Sequence, residues 1–488
     1  MKAIGIDLGT SAVKAVLIDE TGALCAEASA GLSISHPHSH WSEQAPADWW
    51  AATEAAIAAL RARTDFSAVR GIGLAGQMHG AVLLDRAGKV LRPAILWNDG
   101  RAAAECLILD RLARRIAGNL AMPGFTAPKL LWVRRNEPEV FRATARVLLP
   151  KDWLRLCMTG EAVSDLSDAS GTLWLSVANR CWSEELLAAT ELSPSQMPRL
   201  VEGTVPAGRL LADIANAWGL PPGTVVAGGG GDNAAAAVGL GCVSPGDAFL
   251  SLGTSGVVFV CDDRFRPAPE HGVHAFCHCV PATWHRMAVI LSAASCLAWL
   301  ARVSGGAGES QLLEELERAG VAALRGPVFL PYLAGERTPH NDPAASGVFF
   351  GLESGTTRAD LTRAVLEGVA FALADGLEAL QEKGPPIAQL SVTGGGARSR
   401  LWGRILAASL ARPLLYHAGG EVGPALGAAR LGLIAAGAGT LAEIATRLPV
   451  IGAAEPDSAF ASTLQDRRAI FRRLYPALKT EFAARPSL

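Results

Sequence analysis

One short pattern occurs twice in this chain, about half its length apart, and it constrains the fold more than any other feature. The first copy is the apolar run Ala3–Ile6, then Asp7-Leu8-Gly9-Thr10-Ser11 and a second apolar run. The second copy is Ala248–Leu252, then Gly253-Thr254-Ser255 and the run Gly256–Val260. Two apolar runs around a glycine-containing turn predict a β-hairpin. The repetition predicts two domains of one kind.

The two turns are candidate phosphate-binding elements. Each offers backbone N–H groups and two hydroxyls, which suit phosphate oxygens. Lys14, at the start of the second strand, adds positive charge beside the first turn. The predicted phosphate-binding residues of the turns are Gly9, Thr10, Ser11, Gly253, Thr254 and Ser255.

A glycine-rich stretch lies between the two copies. In Val225–Gly239 a β-branched run stops at four glycines, Gly228–Gly231, and Asp232 and Asn233 follow at the start of an alanine-rich helix. Consecutive glycines suit a place where the backbone comes very near a ligand. The Asp232 carboxylate either caps the helix or faces a cleft. The position between two phosphate-binding turns favours the cleft.

Composition limits the classes of protein to consider. The 488 residues predict two or three domains, and 50% hydrophobic with 18% charged residues is typical of a packed globular protein. A formal net charge of -2 predicts neither a nucleic-acid nor an anionic-membrane partner. We find no apolar signal segment at the start, and the nine cysteines have no framework spacing, so reduced thiols and a cytoplasmic location are expected.

A second candidate site follows the segment Gly71–Gly76. This segment matches G-x-G-x-x-G, but a helical pattern precedes it and a strand pattern follows, so it is not a dinucleotide-binding turn. Gln77, Met78 and His79 come where the predicted strand ends, a position at which side chains face a ligand crevice. A hydrogen-bonded structural imidazole is the equally good alternative for His79.

Three polar segments have open interpretations. Asp99 and Arg101 could hold sugar hydroxyls or form a surface pair. The stretch Ser164–Thr172 is predicted to be a solvated loop, with a cleft lining as the alternative. The histidines and cysteines of His274–Cys279 are predicted to be ordinary core and cleft residues, because no second pair of zinc ligands matches them.

A second glycine cluster, Gly394-Gly395-Gly396, ends the predicted strand Leu390–Thr393 and precedes a helix. With Arg398 it could hold an adenine and a ribose against the backbone, or it could be a tight turn. The P-loop pattern G-x-x-x-x-G-K-[ST] does not occur in the sequence, which excludes a P-loop enzyme.

Taken together, these motifs resemble the FGGY carbohydrate kinases, within the actin, hexokinase and sugar-kinase superfamily. Residues 124–136 and 347–367 are similar to the two signatures of the family, and the resemblance covers nearly the whole chain. It implies an α/β fold of two actin-like, ribonuclease H-like domains with a cleft between them. Residues 1–244 would form the sugar side and residues 245–488 the nucleotide side.

The resemblance also implies roles for individual residues. Asp232 is similar to the catalytic base of the family, although four glycines precede it where three are expected. Asp7 resembles the carboxylate that orients Mg²⁺ through water, and Thr254 and Gly394–Gly396 match the nucleotide side. Arg398 belongs to the same nucleotide-side motif. The residues expected to contact the sugar are Gln77, Met78, His79, Asp99 and Asn233.

The implied activity is ATP-dependent phosphorylation of a small sugar, with ATP and Mg²⁺ as cofactors. Glycerol kinases carry charged residues where this chain has Met78-His79, so the resemblance implies a ketopentose, with D-xylulose expected and O5 as the attacking hydroxyl. Another ketose or polyol is the near alternative, and an actin- or chaperone-like ATPase is the distant one. A homodimer is a further prediction.

Overall fold

The structure is a computed structural model that describes residues 1–306, 308–320 and 326–484. Each half of the described chain contains a seven-stranded mixed sheet. The strands of the first half are Lys2–Leu8 (β1), Ala12–Asp19 (β2), Leu24–Gly31 (β3), Glu43–Gln44 (β4), Val69–Gly76 (β5), Val82–Leu84 (β6), Ala94–Ile95 (β7), Arg146–Leu148 (β8), Val163–Asp165 (β9), Leu175–Ser176 (β10), Cys181–Trp182 (β11), Arg199–Val201 (β12), Pro206–Arg209 (β13), Val225–Ala227 (β14) and Gly230–Gly231 (β15). Its helices are Pro46–Arg61 (α1), Cys106–Leu112 (α2), Thr126–Asn136 (α3), Pro138–Ala143 (α4), Pro150–Thr159 (α5), Leu166–Ser170 (α6), Glu184–Ala189 (α7), Ala212–Trp218 (α8) and Asp232–Leu240 (α9).

The second half repeats the mixture of strands and helices. Its strands are Ala248–Leu252 (β16), Gly256–Asp262 (β17), His274–Cys277 (β18), Trp284–Ile290 (β19), Val328–Leu330 (β20), Val348–Phe350 (β21), Leu390–Thr393 (β22), Leu414–His417 (β23) and Val450–Ala454 (β24). Its helices are Ala294–Val303 (α10), Glu309–Ala319 (α11), Arg358–Gln381 (α12), Arg400–Leu410 (α13), Gly423–Ala435 (α14), Leu441–Ile444 (α15) and Ser458–Ala484 (α16).

The two large sheets are built on the same plan. The first has the strand order β13-β14-β5-β1-β2-β3, with β15 as a seventh strand that also pairs with β5, and the second has the order β18-β19-β17-β16-β22-β23-β24. In each sheet an antiparallel hairpin, β1–β2 or β16–β17, places its first strand beside a parallel partner, β5 or β22. The predicted pair of hairpins is therefore confirmed. Since parallel strands end at the same sheet edge, each hairpin turn lies beside the segment that follows β5 or β22.

Apolar alternation explains how the first sheet is covered. Ile4, Ile6 and Leu8 of β1 are fully buried and share a core with Trp49 and Ile57 of α1. The side chains of α1 that point inward recur at helical spacing, as the sequence predicts. Asp7 lies near the carboxyl end of β1, and Gln77 directly follows the carboxyl end of β5. This packing leaves both of these strand ends open for a site.

Helix α14 belongs to the second half of the chain but packs against the first sheet. It contacts α9, β5 and β1. The approach needs residues without side chains: a Cβ at Gly5 would overlap the carbonyl oxygen of Ala425, and one at Gly73 would overlap that of Ala428. The predicted boundary at residue 244 falls between the two sheets and stays a prediction. Because α14 packs against the first sheet, it joins the two halves of the chain.

Two predictions about local structure are wrong. The stretch Ser164–Thr172 is a short strand and a helix that are buried throughout, and not a solvated loop, because Lys151 of α5 pairs with its carboxylates. The apolar pattern of residues 288–302 also predicts one buried helix, but this run begins in strand β19 and its helix starts only at Ala294. Its first residues complete a ladder with β17, so sheet pairing overrides the helical pattern there.

His274 and Cys277 lie in β18, as a buried edge strand of the second sheet. Within residues 1–306, 308–320 and 326–484, no three His, Cys, Asp or Glu side chains are arranged to hold a metal ion by themselves. His274, Cys277, His278 and Cys279 are all buried, as expected of core residues.

In the described part of the chain, no helix is both long enough and apolar enough to cross a lipid bilayer.

Candidate active site

Asp232 is the first residue of helix α9, directly after the four glycines. Its Oδ1 accepts hydrogen bonds from the backbone N–H of Asn233 (2.6 Å) and from Asn233 Nδ2 (2.8 Å). No described group donates to Oδ2, so that oxygen is available to take a proton. Burial raises the pKa of Asp232 to about 6, and the two bonds from Asn233 oppose the rise. Such a pKa suits a general base near neutral pH.

The glycines let this turn pass where side chains have no room. Gly229 adopts a positive φ of 74°, and a Cβ there would overlap the carbonyl oxygen of Leu74 in β5. A Cβ at Gly231 would lie 2.9 Å from Met78 Sδ. The turn therefore brings Asp232 next to the segment after β5.

Asp7 is the second carboxylate of the site. It lies near the end of β1, opposite Lys14 in the hairpin register. Burial and the neighbouring carboxylate of Asp232 raise its pKa to about 7, and Lys14 opposes them. Its Oδ1 is buried and has no hydrogen-bond partner among the described residues. An unpartnered buried carboxylate oxygen near a second acidic group suits a hard divalent cation.

Gln77, Met78 and His79 follow β5, but they do not all face the same way. Gln77 Nε2 donates to Gln44 Oε1 (3.0 Å), and its Oε1 accepts from Thr10 Oγ1 (3.3 Å). The Gln77 amide is thus bonded to the first hairpin turn and its surroundings. Met78 is buried and packs towards Gly231.

His79 has a positive φ of 71° and packs its ring edge-on against Phe125, with 4.7 Å between the ring centroids. Burial lowers its pKa to about 3, so the imidazole is neutral. Its Nδ1 lies 2.7 Å from the carbonyl oxygen of Gly171. A carbonyl only accepts, so Nδ1 carries the proton and Nε2 is left as an acceptor. Since no described residue bonds Nε2, it can receive a hydrogen bond from a substrate hydroxyl.

The sequence left two interpretations of Asp99 open, a contact with sugar hydroxyls and a surface pair with Arg101, and the structure agrees with neither. Its Oδ1 accepts from the backbone N–H and the Nε of Arg101 (both 2.9 Å). Its Oδ2 accepts from the backbone N–H of Ser42 (2.6 Å) and from Arg101 Nη2 (2.7 Å). The pair is nearly inaccessible, so it is not a surface pair. The four bonds occupy the acceptor positions of the carboxylate, which leaves none for a sugar hydroxyl.

The two hairpin turns differ in how free their hydroxyls are. Thr10 Oγ1 accepts a hydrogen bond from Trp97 Nε1 (3.0 Å) in addition to its bond with Gln77. Ser11 and Thr254 are exposed, and Gly9, Gly253 and Ser255 are partly exposed. The Thr254 carbonyl accepts from the backbone N–H of Ala293 (2.8 Å), which ties the second turn to α10.

A cavity of about 660 Å³ joins the two halves of the chain. Asp232 and Asn233 lie on its wall, together with Gly394, Gly395 and Arg398 from the second half. Its volume is in the range of small-molecule sites. The glycine cluster after β22 therefore lines the same cavity as the candidate base Asp232, although more than 150 residues separate them in the sequence. Gly396 belongs to the same short turn but faces Leu252.

Sequence reasoning missed part of the cavity wall. The missed residues come from β16, α13, β23, the turn before α14 and the start of α14, and they are Phe249, Ser251, Arg400, Tyr416, His417, Gly420, Gly423 and Pro424. The guanidinium of Arg400 lies 4.3 Å from the centroid of the Tyr416 ring. A usable signal was present in the third glycine cluster, Gly419–Gly423, which precedes a helix as the other two do.

Two mixed sheets on one hairpin plan, with Asp232 and glycine turns on the wall of a shared cavity, define the two-domain α/β fold of sugar kinases. A model of the N-terminal domain of the FGGY family of carbohydrate kinases matches residues 2–239, and a model of the C-terminal domain matches residues 248–436. The chain belongs to the FGGY family of carbohydrate kinases. The resemblance inferred from the motifs is confirmed.

Several relatives are similar over nearly their full length. A xylulose kinase of Escherichia coli K12 is 53% identical over 97% of this chain and 99% of its own, and one of Bacillus subtilis is 38% identical over 89% and 88%. A crystal structure described as a xyloylose kinase from Brucella ovis superposes with a TM-score of 0.95 at 51% identity, covering 98% of this chain and 100% of the other. The family implies ATP as the phosphoryl donor and a divalent metal.

Proposed function

We propose that this enzyme transfers the γ-phosphoryl group of ATP to O5 of D-xylulose, giving D-xylulose 5-phosphate and ADP. The observation that carries the proposal is the position of Asp232: one free carboxylate oxygen, a raised pKa, Met78 beside its turn and a glycine-lined cavity on its other side. The xylulose kinases at 53% and 52% identity support D-xylulose over another ketose.

In this proposal Asp232 Oδ2 accepts the proton of the attacking hydroxyl. Asn233 holds the other oxygen, which orients the carboxylate. Met78 and the free Nε2 of His79 bind the sugar, while Gln77 supports the first turn. Phosphoryl transfer needs mainly placement and charge neutralisation, so these few groups suffice on the sugar side.

On the nucleotide side, Gly394, Gly395 and Arg398 line the cavity, and Gly396 shapes their turn. The backbone and hydroxyl donors of the two hairpin turns, Gly9–Ser11 and Gly253–Ser255, bind phosphate oxygens. Lys14 adds positive charge beside Asp7. Asp7 would hold Mg²⁺ through water, and the bound ion would neutralise phosphate charge.

A sugar panel tests the substrate. ADP release is measured with D-xylulose, L-xylulose, D-ribulose, L-ribulose, glycerol and no sugar. We expect kcat/KM for D-xylulose to exceed that for each other sugar by about tenfold or more, because a differently oriented hydroxyl leaves a buried donor or acceptor unpaired. A different preferred sugar would contradict the substrate and leave the kinase class standing. Equal ADP release without sugar would contradict phosphoryl transfer to a sugar altogether.

The rate should fall in acid with a midpoint set by the two carboxylates. A base works only when it is deprotonated, and burial raises the pKa of Asp232 to about 6 and that of Asp7 to about 7. We expect kcat/KM for D-xylulose to rise with pH through the range 6 to 7, by about tenfold per pH unit between the two pKa values and by up to about a hundredfold per unit below both, where two protons must be lost. The measurement is a pH–rate profile from pH 5 to 8.5 at saturating ATP. A flat profile over this range would contradict a base with a raised pKa.

The homodimer and the cytoplasmic location remain predictions. Sedimentation of the purified chain over a range of concentrations would decide the assembly.

A further inference from the structure

Five charged side chains form a fully buried cluster beneath the glycine turn. Lys151 Nζ lies 2.6 Å from Asp152 Oδ1, 2.7 Å from Asp165 Oδ1 and 3.2 Å from Asp168 Oδ2. Arg155 Nη1 lies 2.9 Å from Asp152 Oδ1. Each of these side chains has 0% exposure. Buried charges are costly unless they are paired, so a cluster of this size calls for a reason.

The charges of this cluster balance when one carboxyl keeps its proton. Two cations face three carboxylates. Burial raises the pKa of Asp168 well above its ordinary value, against the opposing effect of Lys151, which favours the protonated form of this carboxyl. The remaining two carboxylates and two cations sum to zero, which is the arrangement that a dry interior tolerates.

Hydrogen bonds connect this cluster to both ends of the glycine turn. Arg155 Nη2 donates to the carbonyl oxygen of Gly228, where the turn begins. The backbone N–H of Gly231, where it ends, donates to Ser167 Oγ (3.0 Å). The Ser167 hydroxyl in turn donates to Asp165 Oδ2, whose other oxygen pairs with Lys151. Gly231 directly precedes Asp232.

The Gly228–Gly231 turn needs contacts from other segments to fix its conformation, because it has no side chains of its own. Four glycines have the largest conformational freedom of any residues, and ordering them has a high entropic cost. The position of the Asp232 carboxylate is therefore only as well defined as the conformation of the turn that precedes it. A 1 Å misplacement of a catalytic group can lower a rate by about two orders of magnitude.

We propose that Ser167 and Arg155 are positioning residues, which fix Asp232 by holding the two ends of the Gly228–Gly231 turn to the buried Lys151 cluster. The inference rests on the proposed role of Asp232 as the base. A merely structural role would lower stability and leave the chemical step of the folded enzyme unchanged.

Ser167→Ala is the first test, with Ser170→Ala as the matched control. Both hydroxyls are fully buried in α6, and both accept a backbone N–H, but Ser170 bonds Cys277 and not the glycine turn. We expect both variants to lose a similar amount of thermal stability. Only Ser167→Ala should lower kcat, by about tenfold or more, with KM for D-xylulose and ATP within about twofold of the parent. Equal kcat in both variants would overturn the proposal.

Arg155→Lys is the second variant, since it keeps the positive charge but cannot reproduce the fork of hydrogen bonds to Asp152, Val163 and Gly228. It should likewise lower kcat with little change in KM. If folded Arg155→Lys has the kcat of the parent, the proposal that the Arg155 bond to the Gly228 carbonyl positions Asp232 is contradicted.

A double-mutant cycle separates this inference from the proposed function. If Ser167 acts through Asp232, Ser167→Ala lowers kcat in the parent but has no further effect on the residual rate of Asp232→Asn. The same fold loss in both backgrounds would contradict the positioning role. A parental rate in Asp232→Asn itself would instead contradict the base assignment.

Discussion

Asp232→Asn is expected to lower kcat about a thousandfold while D-xylulose still binds with an affinity within a few-fold of the parent. The substitution preserves shape and keeps an oxygen for the two bonds from Asn233, but an amide cannot accept the proton. General base catalysis usually raises a rate by about 10²–10⁴-fold, and the expected loss of kcat lies in the middle of this range. The measurements are steady-state kinetics with D-xylulose and sugar binding by calorimetry.

The matched control is Asp263→Asn. This carboxylate is 58% exposed and pairs with Arg266 on the surface, so its loss should leave kcat within about twofold. A variant of Asp232 that keeps more than a tenth of the parental kcat would show that the carboxylate only aligns the substrate. Loss of sugar binding together with turnover would place it in substrate recognition.

Gly73→Ala is expected to be the most destabilising single methyl addition in the first sheet. Its Cβ would overlap the carbonyl oxygen of Ala428 and lie 2.5 Å from the carbonyl carbon. Both atoms belong to the backbone of α14, so the helix must move away from β5 as a unit. Overpacking of a close contact usually costs about 1–3 kcal/mol, and a displaced backbone puts this site at about 3 kcal/mol or more.

Gly31→Ala is the control for Gly73→Ala. Gly31 ends strand β3 of the same sheet, and a Cβ there meets no atom within 4 Å. Thermal unfolding of the ligand-free enzymes should show a large drop in the midpoint for Gly73→Ala and little change for Gly31→Ala. Similar midpoints would show that α14 adjusts without loss and that its contact with β5 is loose.

Part of the site was predictable because it depends on residues close in sequence. A hairpin needs only two apolar runs and a turn, so both hairpins could be located from spacing alone. The same holds for Asp232 after its glycines and for Gly394 after β22. These are local patterns, in which the chemistry of each residue and the conformation of its neighbours are set together.

Asp99 and the stretch Ser164–Thr172 show where local reasoning ends. The polar residues of that stretch are typical of a solvated loop, and they are buried because Lys151 of α5 pairs with the carboxylates of Asp165 and Asp168. Three of the four bonds to Asp99 come from Arg101 of its own segment, and the fourth comes from the backbone N–H of Ser42, far earlier in the chain. Whether a polar group is buried depends on partners that its own segment does not contain.

By itself, the sequence determined the two hairpins, the family, the candidate base and the glycine turns, because each is encoded within one short segment. Only the tertiary structure decided which hydroxyls and carboxylates are free, which residues of the second half reach Asp232, and that α14 packs across Gly5 and Gly73 of the first sheet. These features depend on backbone approach and charge pairing between segments up to several hundred residues apart. Such contacts form only when the sheets, helices and turns are packed together.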